Sequence, residues 1–197
     1  MSGDRRAVIA AMVPAGRRVI DVGADHGHLA HAIGAIATER LPHRAGRSDV
    51  RWVIADGLAP FREVDVAVIA GMGADTIARI LARGPRPALA VLHAQDAPPR
   101  LRSWLARNGW RIDAEALAPE ARRFAEVVRV VPGTESATGL VLHYGPRLLD
   151  GGPWVVEHLT QRRAEWQGIA QATVHVPNRH KEALEHINFL DQRLLAL

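Results

Sequence analysis

The sequence has no cysteine, few aromatic residues and no long hydrophobic run. Without cysteine the chain can form neither a disulfide nor a zinc site with thiolate ligands. Its apolar segments are far shorter than the roughly 20 residues that a helix needs to cross a bilayer. The first residues also lack the hydrophobic core and cleavage site of a signal peptide. We therefore expect a cytoplasmic protein with no membrane span.

Lysine is nearly absent as well, because Lys181 is the only one and arginine carries almost all of the positive charge. The formal net charge is +4 over 197 residues. Acidic and basic residues balance from Gly151 onward, so the positive excess lies before it. This distribution is compatible with a phosphate-bearing partner, and an arginine-rich solvated surface explains it equally well.

Short apolar segments alternate with segments of helical periodicity, which predicts a three-layer α/β sheet with helices on both faces. The last two strands suggest an antiparallel edge, and residues 138–144 are a possible further strand. We predict one helix over residues 28–41 rather than a strand near Glu39, because too few residues separate Gly27 from Gly34 for a parallel crossover. The other predicted helices span residues 4–12, 75–82 and 100–107, and the predicted strands span residues 17–22, 50–54, 65–70, 88–93, 110–117 and 124–131.

Glycine and proline at Gly145-Pro146 and again at Gly151-Gly152-Pro153 mark a boundary in the chain. Beyond it, two stripes of apolar residues at near-heptad spacing predict a pair of antiparallel helices, and the second stripe consists of Leu184, Ile187, Leu190 and Leu194. The stripes are too narrow to form an independent globular core. We therefore predict a first domain over residues 1–144 and a C-terminal helical hairpin over residues 145–197.

The most informative stretch is the first strand and the turn that follows it, Val19–Gly27. The strand carries Asp21, and the turn contains Gly23, Asp25 and Gly27. A dinucleotide-binding turn has Gly-x-Gly-x-x-Gly, so that a pyrophosphate can lie on free amides at a helix N-terminus. Here Asp25 replaces the middle glycine, and its carboxylate repels an anion but not the zwitterionic end of S-adenosylmethionine. The turn thus favours a class I methyltransferase over NAD or ATP binding, and an ordinary structural turn is the remaining alternative.

Further polar and glycine-rich segments end later strands at the same sheet edge, where ligands bind in α/β proteins. Asp56-Gly57 can bind the adenine amine or the ribose of the cofactor, although Asp56 is equally well an ordinary loop residue. Gly71-Met72-Gly73 leaves room for a flat base, and Met72 can line the cofactor sulfur or simply fill the core. His93 to Asp96 adds polar groups. The trio Asp25, His26 and His28 is a weak metal pattern, and we expect no metal.

Three of these segments resemble the bacterial tRNA (adenine-22-N1)-methyltransferases: Asp21–Leu29, Asp56-Gly57 and, most specifically, Ile69–Leu81. The helical hairpin also resembles the C-terminal coiled coil of that family, so the similarity covers nearly the whole chain. The resemblance implies a Rossmann-like class I methyltransferase sheet with a C-terminal hairpin. It further implies S-adenosylmethionine as cofactor and N1 of an adenine in tRNA as the methyl acceptor.

The resemblance also suggests roles for individual residues. We predict Asp25 as the first catalytic residue, because a carboxylate near the adenine N6 amine would orient the base, with His26 and Gln95 in support. The predicted cofactor-binding residues are Asp21, Gly23, Asp25, Asp56, Gly57, Gly71, Met72 and Gly73.

The chain departs from the family pattern in three places. The segment between Asp25 and Asp56 is shortened, His93-Ala94-Gln95 replaces Gln-Pro-Asn, and Ala74 follows Gly73. The shortened segment leaves Glu39 doubtful as the family's ribose ligand. Two alternatives therefore stay open: a methyltransferase acting on another RNA or a small molecule, and a cofactor-binding RNA module with little catalysis.

Overall fold

A computed structural model describes residues 5–46 and 48–197 of the chain, and the predicted helix start at Asp4 lies outside these residues. No helix of this described part is long and apolar enough to cross a membrane. The helices are α1 (Arg5–Met12), α2 (His28–Ile33), α3 (Ala74–Arg83), α4 (Pro98–Arg107), α5 (Gly139–Tyr144), α6 (Val155–Ala172) and α7 (Pro177–Ala196). The strands are β1 (Val19–Val22), β2 (Ile36–Glu39), β3 (Arg51–Ile54), β4 (Val66–Met72), β5 (Leu89–Ala94), β6 (Trp110–Pro119) and β7 (Phe124–Pro132).

The strands form one sheet in the order β3-β2-β1-β4-β5-β7-β6. The first five strands of this order run parallel, whereas β7 is antiparallel to β5 and β6 is antiparallel to β7. The central strand β4 is fully buried from Val66 to Ile69, because apolar clusters cover both faces of the sheet. The predicted Rossmann-like sheet with an antiparallel edge is confirmed.

The predicted helix over residues 28–41 is wrong. Helix α2 ends at Ile33, Gly34 closes it in a left-handed conformation, and β2 pairs in parallel with β1 through Ile36 opposite Ile20. The crossover runs from the end of β1, not from Gly27, so the turn before α2 contributes to its length. Counted in this way it reaches the dozen or so residues that a parallel connection needs.

The suggested strand over residues 138–144 is also wrong, because Gly139–Tyr144 forms the short helix α5. The sheet already ends at β6, and α5 lies against α4 instead of extending that edge. Leu142 and Tyr144 are buried at this contact and beneath the hairpin.

Helices α6 and α7 form the predicted helical pair, joined by the short connection 173–176. The predicted stripe of α7 is wrong at its first member, because Leu184 is 48% exposed. The neighbouring Ala183 is buried instead, together with His186. The ring of Trp166 stacks on His186 with their centroids 3.8 Å apart. The hydroxyl of Tyr144 at the end of α5 lies 2.7 Å from Nδ1 of His186, which joins the hairpin to the rest of the chain.

This aromatic cluster predicts sensitivity to acid. Burial, aided by the neighbouring His186, lowers the pKa of His143 from 6.5 to about 4. The unfolded chain therefore takes up a proton before the folded chain does, so this stability is present above pH 6.5 and is lost as the pH falls towards 4. We expect the free energy of unfolding to fall by roughly 1–2 kcal/mol from this residue alone, since solvent reaches part of the ring.

Urea unfolding followed across that pH range checks this prediction. A His143→Leu variant should show a shallower loss of stability than the parent protein. The prediction fails if the two proteins lose stability equally steeply in acid.

Candidate active site

The turn after β1 is held by the end of β2. The backbone N–H groups of Gly23 and Ala24 both donate to the carbonyl of Thr38, at 2.8 and 3.1 Å. Asp25 follows in a left-handed backbone conformation with φ of 49°. The strand that the sequence analysis missed is therefore the element that fixes the most informative motif.

Gly23 brings the turn into contact with the segment that ends β4. Its φ is 67°, and a Cβ atom built on it would lie 2.2 Å from Cε of Met72. Any side chain at position 23 would displace Met72. The glycine-rich turn and the Gly71-Met72-Gly73 segment thus form one packed unit.

The segment after β5 completes this unit. The N–H of Gly71 donates to Nδ1 of His93 at 3.3 Å, and the N–H of Gln95 donates to the carbonyl of Met72 at 2.9 Å. Burial lowers the pKa of His93 to about 4, and the charge of Arg5 adds to this effect. His93 is therefore neutral, and because Nδ1 accepts a hydrogen bond, its proton lies on Nε2.

Asp96 has a structural role in the same segment. Its Oδ1 accepts a hydrogen bond of 2.8 Å from the N–H of Ala74, in the first turn of α3. A carboxylate in this position satisfies a free amide and interacts favourably with the helix dipole. The two ends of the polar run from His93 to Asp96 are thus both tied to the β4 segment.

These segments enclose a first cavity of about 300 Å³ at the carboxyl edge of β1 and β4. Of the residues predicted from sequence, it is lined by Asp21, Gly23, Asp25, His26, Gly71 and Gln95. Asp25 and His26 are exposed, with Oδ2 and Nε2 3.8 Å apart. Helix α1 adds Arg5 and Arg6, which the sequence analysis did not connect with a site.

Asp21 is the unusual residue of the first cavity. Its side chain is almost completely buried, and Oδ2 has no hydrogen-bond partner among the described residues. Burial raises the pKa of Asp21 to about 7, and the backbone N–H of Ala30 offsets this only in part. A buried carboxylate oxygen without a partner is costly, and a cationic ligand would satisfy it.

The other predicted residues lie outside the lining of the first cavity. Asp56 is exposed and borders a small hollow beside Arg79, and Gly57 packs against Ile80 of α3. Met72 supports the turn from behind, as described above, and Gly73 lies beside the Asp96 carboxylate. Four of the ten different predicted site residues are thus not brought to this cavity.

Glu39 is the last residue of β2, the strand next to β1, and lies at the same edge of the sheet as the turn after β1. It is buried, and its Oε1 accepts hydrogen bonds from the N–H groups of Arg40 and Leu41 at 2.9 and 3.3 Å. The signal for this residue was in the sequence, since Gly34 can end a helix before the apolar run that leads to Glu39.

A second cavity of about 380 Å³ lies beside the first, between the sheet edge and α6. Gln95 borders both cavities. The second cavity is lined on the sheet side by His93, Arg123, Phe124 and Glu126, and on α6 by His158, Gln161, Arg162 and Glu165. The sequence gives no local signal for it, because its walls meet only after the hairpin has packed on the sheet.

A buried ionic cluster lies beneath the second cavity. Arg102 of α4 is fully buried and pairs with Glu115 of β6 and Glu126 of β7, each at 2.7 Å. Nε2 of His158 on α6 lies 3.6 Å from the second oxygen of Glu126. Burial opposes ionisation of Glu126, but the charges of Arg102 and His158 outweigh it and lower its pKa. The cluster therefore ties the sheet to the hairpin.

Comparison with known proteins gives a family match over almost the same span. The model of the TrmK family, described as tRNA (adenine(22)-N(1))-methyltransferase, matches residues 19–195. This span includes both the sheet and the hairpin. A search of curated proteins finds no match.

Solved structures of similar architecture include a candidate tRNA (m1A22) methyltransferase from Streptococcus pneumoniae in complex with S-adenosyl-L-methionine. It is 27% identical, with a TM-score of 0.77 over 98% of this chain and 100% of that one. Bacillus subtilis TrmK, an m1A22 tRNA methyltransferase, is 21% identical, with a TM-score of 0.77 over 98% of both chains. Mycoplasma TrmK (M. capricolum), in complex with S-adenosyl-homocysteine, is 15% identical, with a TM-score of 0.79 over 96% of both.

Proposed function

Because the chain belongs to the tRNA (adenine(22)-N(1))-methyltransferase family, we propose that it transfers a methyl group from S-adenosylmethionine to N1 of adenine 22 in tRNA. The structural observation that carries this proposal is the buried Asp21 carboxylate, which lines the first cavity with one oxygen unpartnered among the described residues. Its tRNA substrate makes the cytoplasm the expected place of action.

The first cavity suits the cationic end of this cofactor. The ammonium group would satisfy Oδ2 of Asp21, and the exposed carboxylate of Asp25 adds a second negative charge at the same edge. Glu39 at the end of β2 would hold the ribose hydroxyls, with its carboxylate oriented by the N–H groups of Arg40 and Leu41. Asp56 and Gly57 follow β3 and lie outside the first cavity, so they would contact the adenine of the cofactor only where it extends beyond that cavity.

The bound cofactor supplies an activated methyl group on a sulfonium, so the protein needs to contribute little covalent chemistry. N1 of adenine attacks with its own in-plane lone pair, and no proton has to leave before the bond forms. Alignment of N1 with the methyl group can then account for most of the rate.

We assign the alignment to Asp25 and Gln95. The Asp25 carboxylate would accept a hydrogen bond from the adenine N6 amine and stabilise the positive charge that develops on the methylated ring. Gln95 stands between the two cavities, where its amide can contact the base on one side and the cofactor on the other. His26 supports Asp25 from 3.8 Å.

The direct test incubates the protein with unmodified tRNA and isotope-labelled S-adenosylmethionine, followed by nuclease digestion and mass spectrometry. We expect one methyl group on N1 of adenine 22. A methyl group elsewhere would indicate another substrate for the same fold. Cofactor binding by calorimetry without any transfer would instead favour the cofactor-binding RNA module with little catalysis.

A Gly23→Ala variant tests the first cavity. We expect the methyl side chain to displace Met72 and strain the backbone, with a loss of about 1–2 kcal/mol in stability and roughly tenfold in cofactor affinity. Urea unfolding and calorimetry measure the two effects.

Gly34→Ala is the matched control, because Gly34 has nearly the same φ, 65°, and a Cβ atom built there meets no atom of residues 5–46 or 48–197 within 4 Å. Gly34→Ala should lose stability only because alanine is strained at a positive φ, and it should bind the cofactor as the parent does. Equal cofactor affinity in the two variants would contradict the proposed role of the turn.

A further inference from the structure

The second cavity adjoins the first at Gln95, which lines both. A substrate that reaches the methyl donor and also extends under the hairpin must pass this residue. The volume of about 380 Å³ is larger than a single base needs and falls within the range of about 300–1,000 Å³ typical of small-ligand sites.

The lining of the second cavity combines an aromatic ring with two guanidinium groups. Phe124 is held in place by the edge-to-face ring of His158, at 5.7 Å between centroids, and by Trp154 at 6.3 Å. Arg123, directly before β7, approaches from the sheet side and Arg162 approaches from α6. Unstacked bases bind to aromatic faces, and guanidinium groups match the geometry of phosphate oxygens.

The carboxylates of the second cavity do not oppose an anionic ligand strongly, because each is already engaged. Glu126 pairs with Arg102, Asp96 accepts from the N–H of Ala74, and Glu165 pairs with Arg162 at 2.6 Å. Arg162 uses one nitrogen, Nη1, for the pair with Glu165, and a guanidinium carries five N–H donors, so donors are left for a ligand. Arg123 donates from Nε to Glu120 at 3.1 Å on the exposed rim.

We propose that the second cavity receives the target nucleotide after it leaves the tRNA stack, with Phe124 against a face of the base and Arg162 of α6 on its phosphate, while the N1 and N6 edge of the base extends past Gln95 to Asp25 in the first cavity. This inference rests on the proposed function and deepens it. Helix α6 of the hairpin then forms one wall of the active site. Arg162 is a substrate-binding residue that positions the nucleotide for attack.

An Arg162→Gln variant tests the proposal, with Arg179→Gln as its matched control. Arg179 makes the same kind of ion pair three residues along its helix, also at 2.6 Å, but lies on α7 and does not line the cavity. We expect Arg162→Gln to lower kcat/KM for tRNA by about tenfold or more, the size expected when one charged hydrogen bond is lost. Arg179→Gln should stay within about twofold of the parent on the same scale.

Cofactor affinity and unfolding midpoint separate this effect from a folding defect. Both should match the parent in Arg162→Gln, because the residue lies outside the first cavity and its pair with Glu165 is at the surface.

A second readout follows the base itself. In tRNA with 2-aminopurine at position 22 and with S-adenosyl-homocysteine bound, the parent protein should change the fluorescence as the base leaves its stack. Arg162→Gln should bind this tRNA with a much smaller fluorescence change. The inference is overturned if Arg162→Gln behaves like Arg179→Gln in both assays while the parent methylates adenine 22. A parent protein that methylates no tRNA would overturn the proposed function, and this inference with it.

Discussion

The Asp21→Asn variant is expected to be more stable than the parent protein above pH 7 and to bind S-adenosylmethionine far more weakly. The pKa of Asp21 is raised from 3.8 to about 7 by burial. The folded protein therefore holds this proton more tightly than the unfolded chain does. The stabilising contribution is complete below pH 3.8 and is lost as the pH rises through 7. Asparagine keeps the shape of the side chain and removes the charge, so the gain should be on the order of 2–4 kcal/mol at pH 8.

The same substitution removes the ionic partner that we propose for the cofactor ammonium. Loss of one hydrogen bond to a charged group corresponds to about 1.5–3 kcal/mol, or roughly 10- to 100-fold in Kd. In the parent protein, affinity should rise with pH up to about 7 as Asp21 ionises. In Asp21→Asn that part of the pH dependence should disappear.

Urea unfolding at pH 5 and pH 8, with calorimetry at the same two values, checks both halves of this prediction. Asp150→Asn serves as the control, because Asp150 is an exposed aspartate outside both cavities, and neither measurement should change. A less stable Asp21→Asn protein at pH 8, or one with unchanged cofactor affinity, would refute the role given to this residue.

The second large effect concerns stability alone. We expect Arg102→Met to lower the free energy of unfolding by about 3–5 kcal/mol, because it leaves Glu115 and Glu126 in a buried site without their shared counter-ion. Acid should restore part of this loss, because protonation of Glu126 removes a buried charge that has lost the guanidinium responsible for its low pKa.

Denaturant titration of the variants measures this effect. Adding Glu115→Gln and Glu126→Gln to Arg102→Met should recover much of the stability, since the uncompensated charges are then gone. Arg179→Met, which breaks an exposed pair with Glu182 and a contact of its guanidinium with the ring of Trp166, should change stability by no more than about 1 kcal/mol. If Arg102→Met loses no more stability than Arg179→Met, the buried cluster is not the anchor described here.

Local patterns predicted most of the sheet, because a strand such as Val66–Met72 is apolar throughout and is bounded by turn residues. They failed at Ile36–Glu39, where a run of four residues follows a short helix without a change in hydrophobicity. There the parallel pairing with β1 decides the structure, and pairing depends on residues far away in sequence. The prediction that Leu184 faces the seam was wrong for a related reason. The small Ala183 and the stacking of His186 on Trp166 decide which face of α7 packs against α6.

The candidate site was predictable only in part. Strand ends and glycines indicated Asp21, Gly23 and Gly71, because the carboxyl ends of parallel strands meet at one edge. That Oδ2 of Asp21 has no hydrogen-bond partner in the described part of the chain is a property of the packed state and leaves no trace in the sequence. Arg162 lies 67 positions after Gln95 by the numbering, and only the packing of α6 on the sheet brings the two to one cavity.

Glu126 has two duties, since it lines the second cavity and also neutralises Arg102 in the core. A substitution there that reshaped the nucleotide site would unbalance the folded state at the same time. Gln161 and Glu165 on α6 border the same cavity and are exposed, without a part in that ionic cluster. Substitutions on α6 can therefore change substrate preference at little cost in stability, whereas Glu126 cannot change without disturbing the buried ionic cluster.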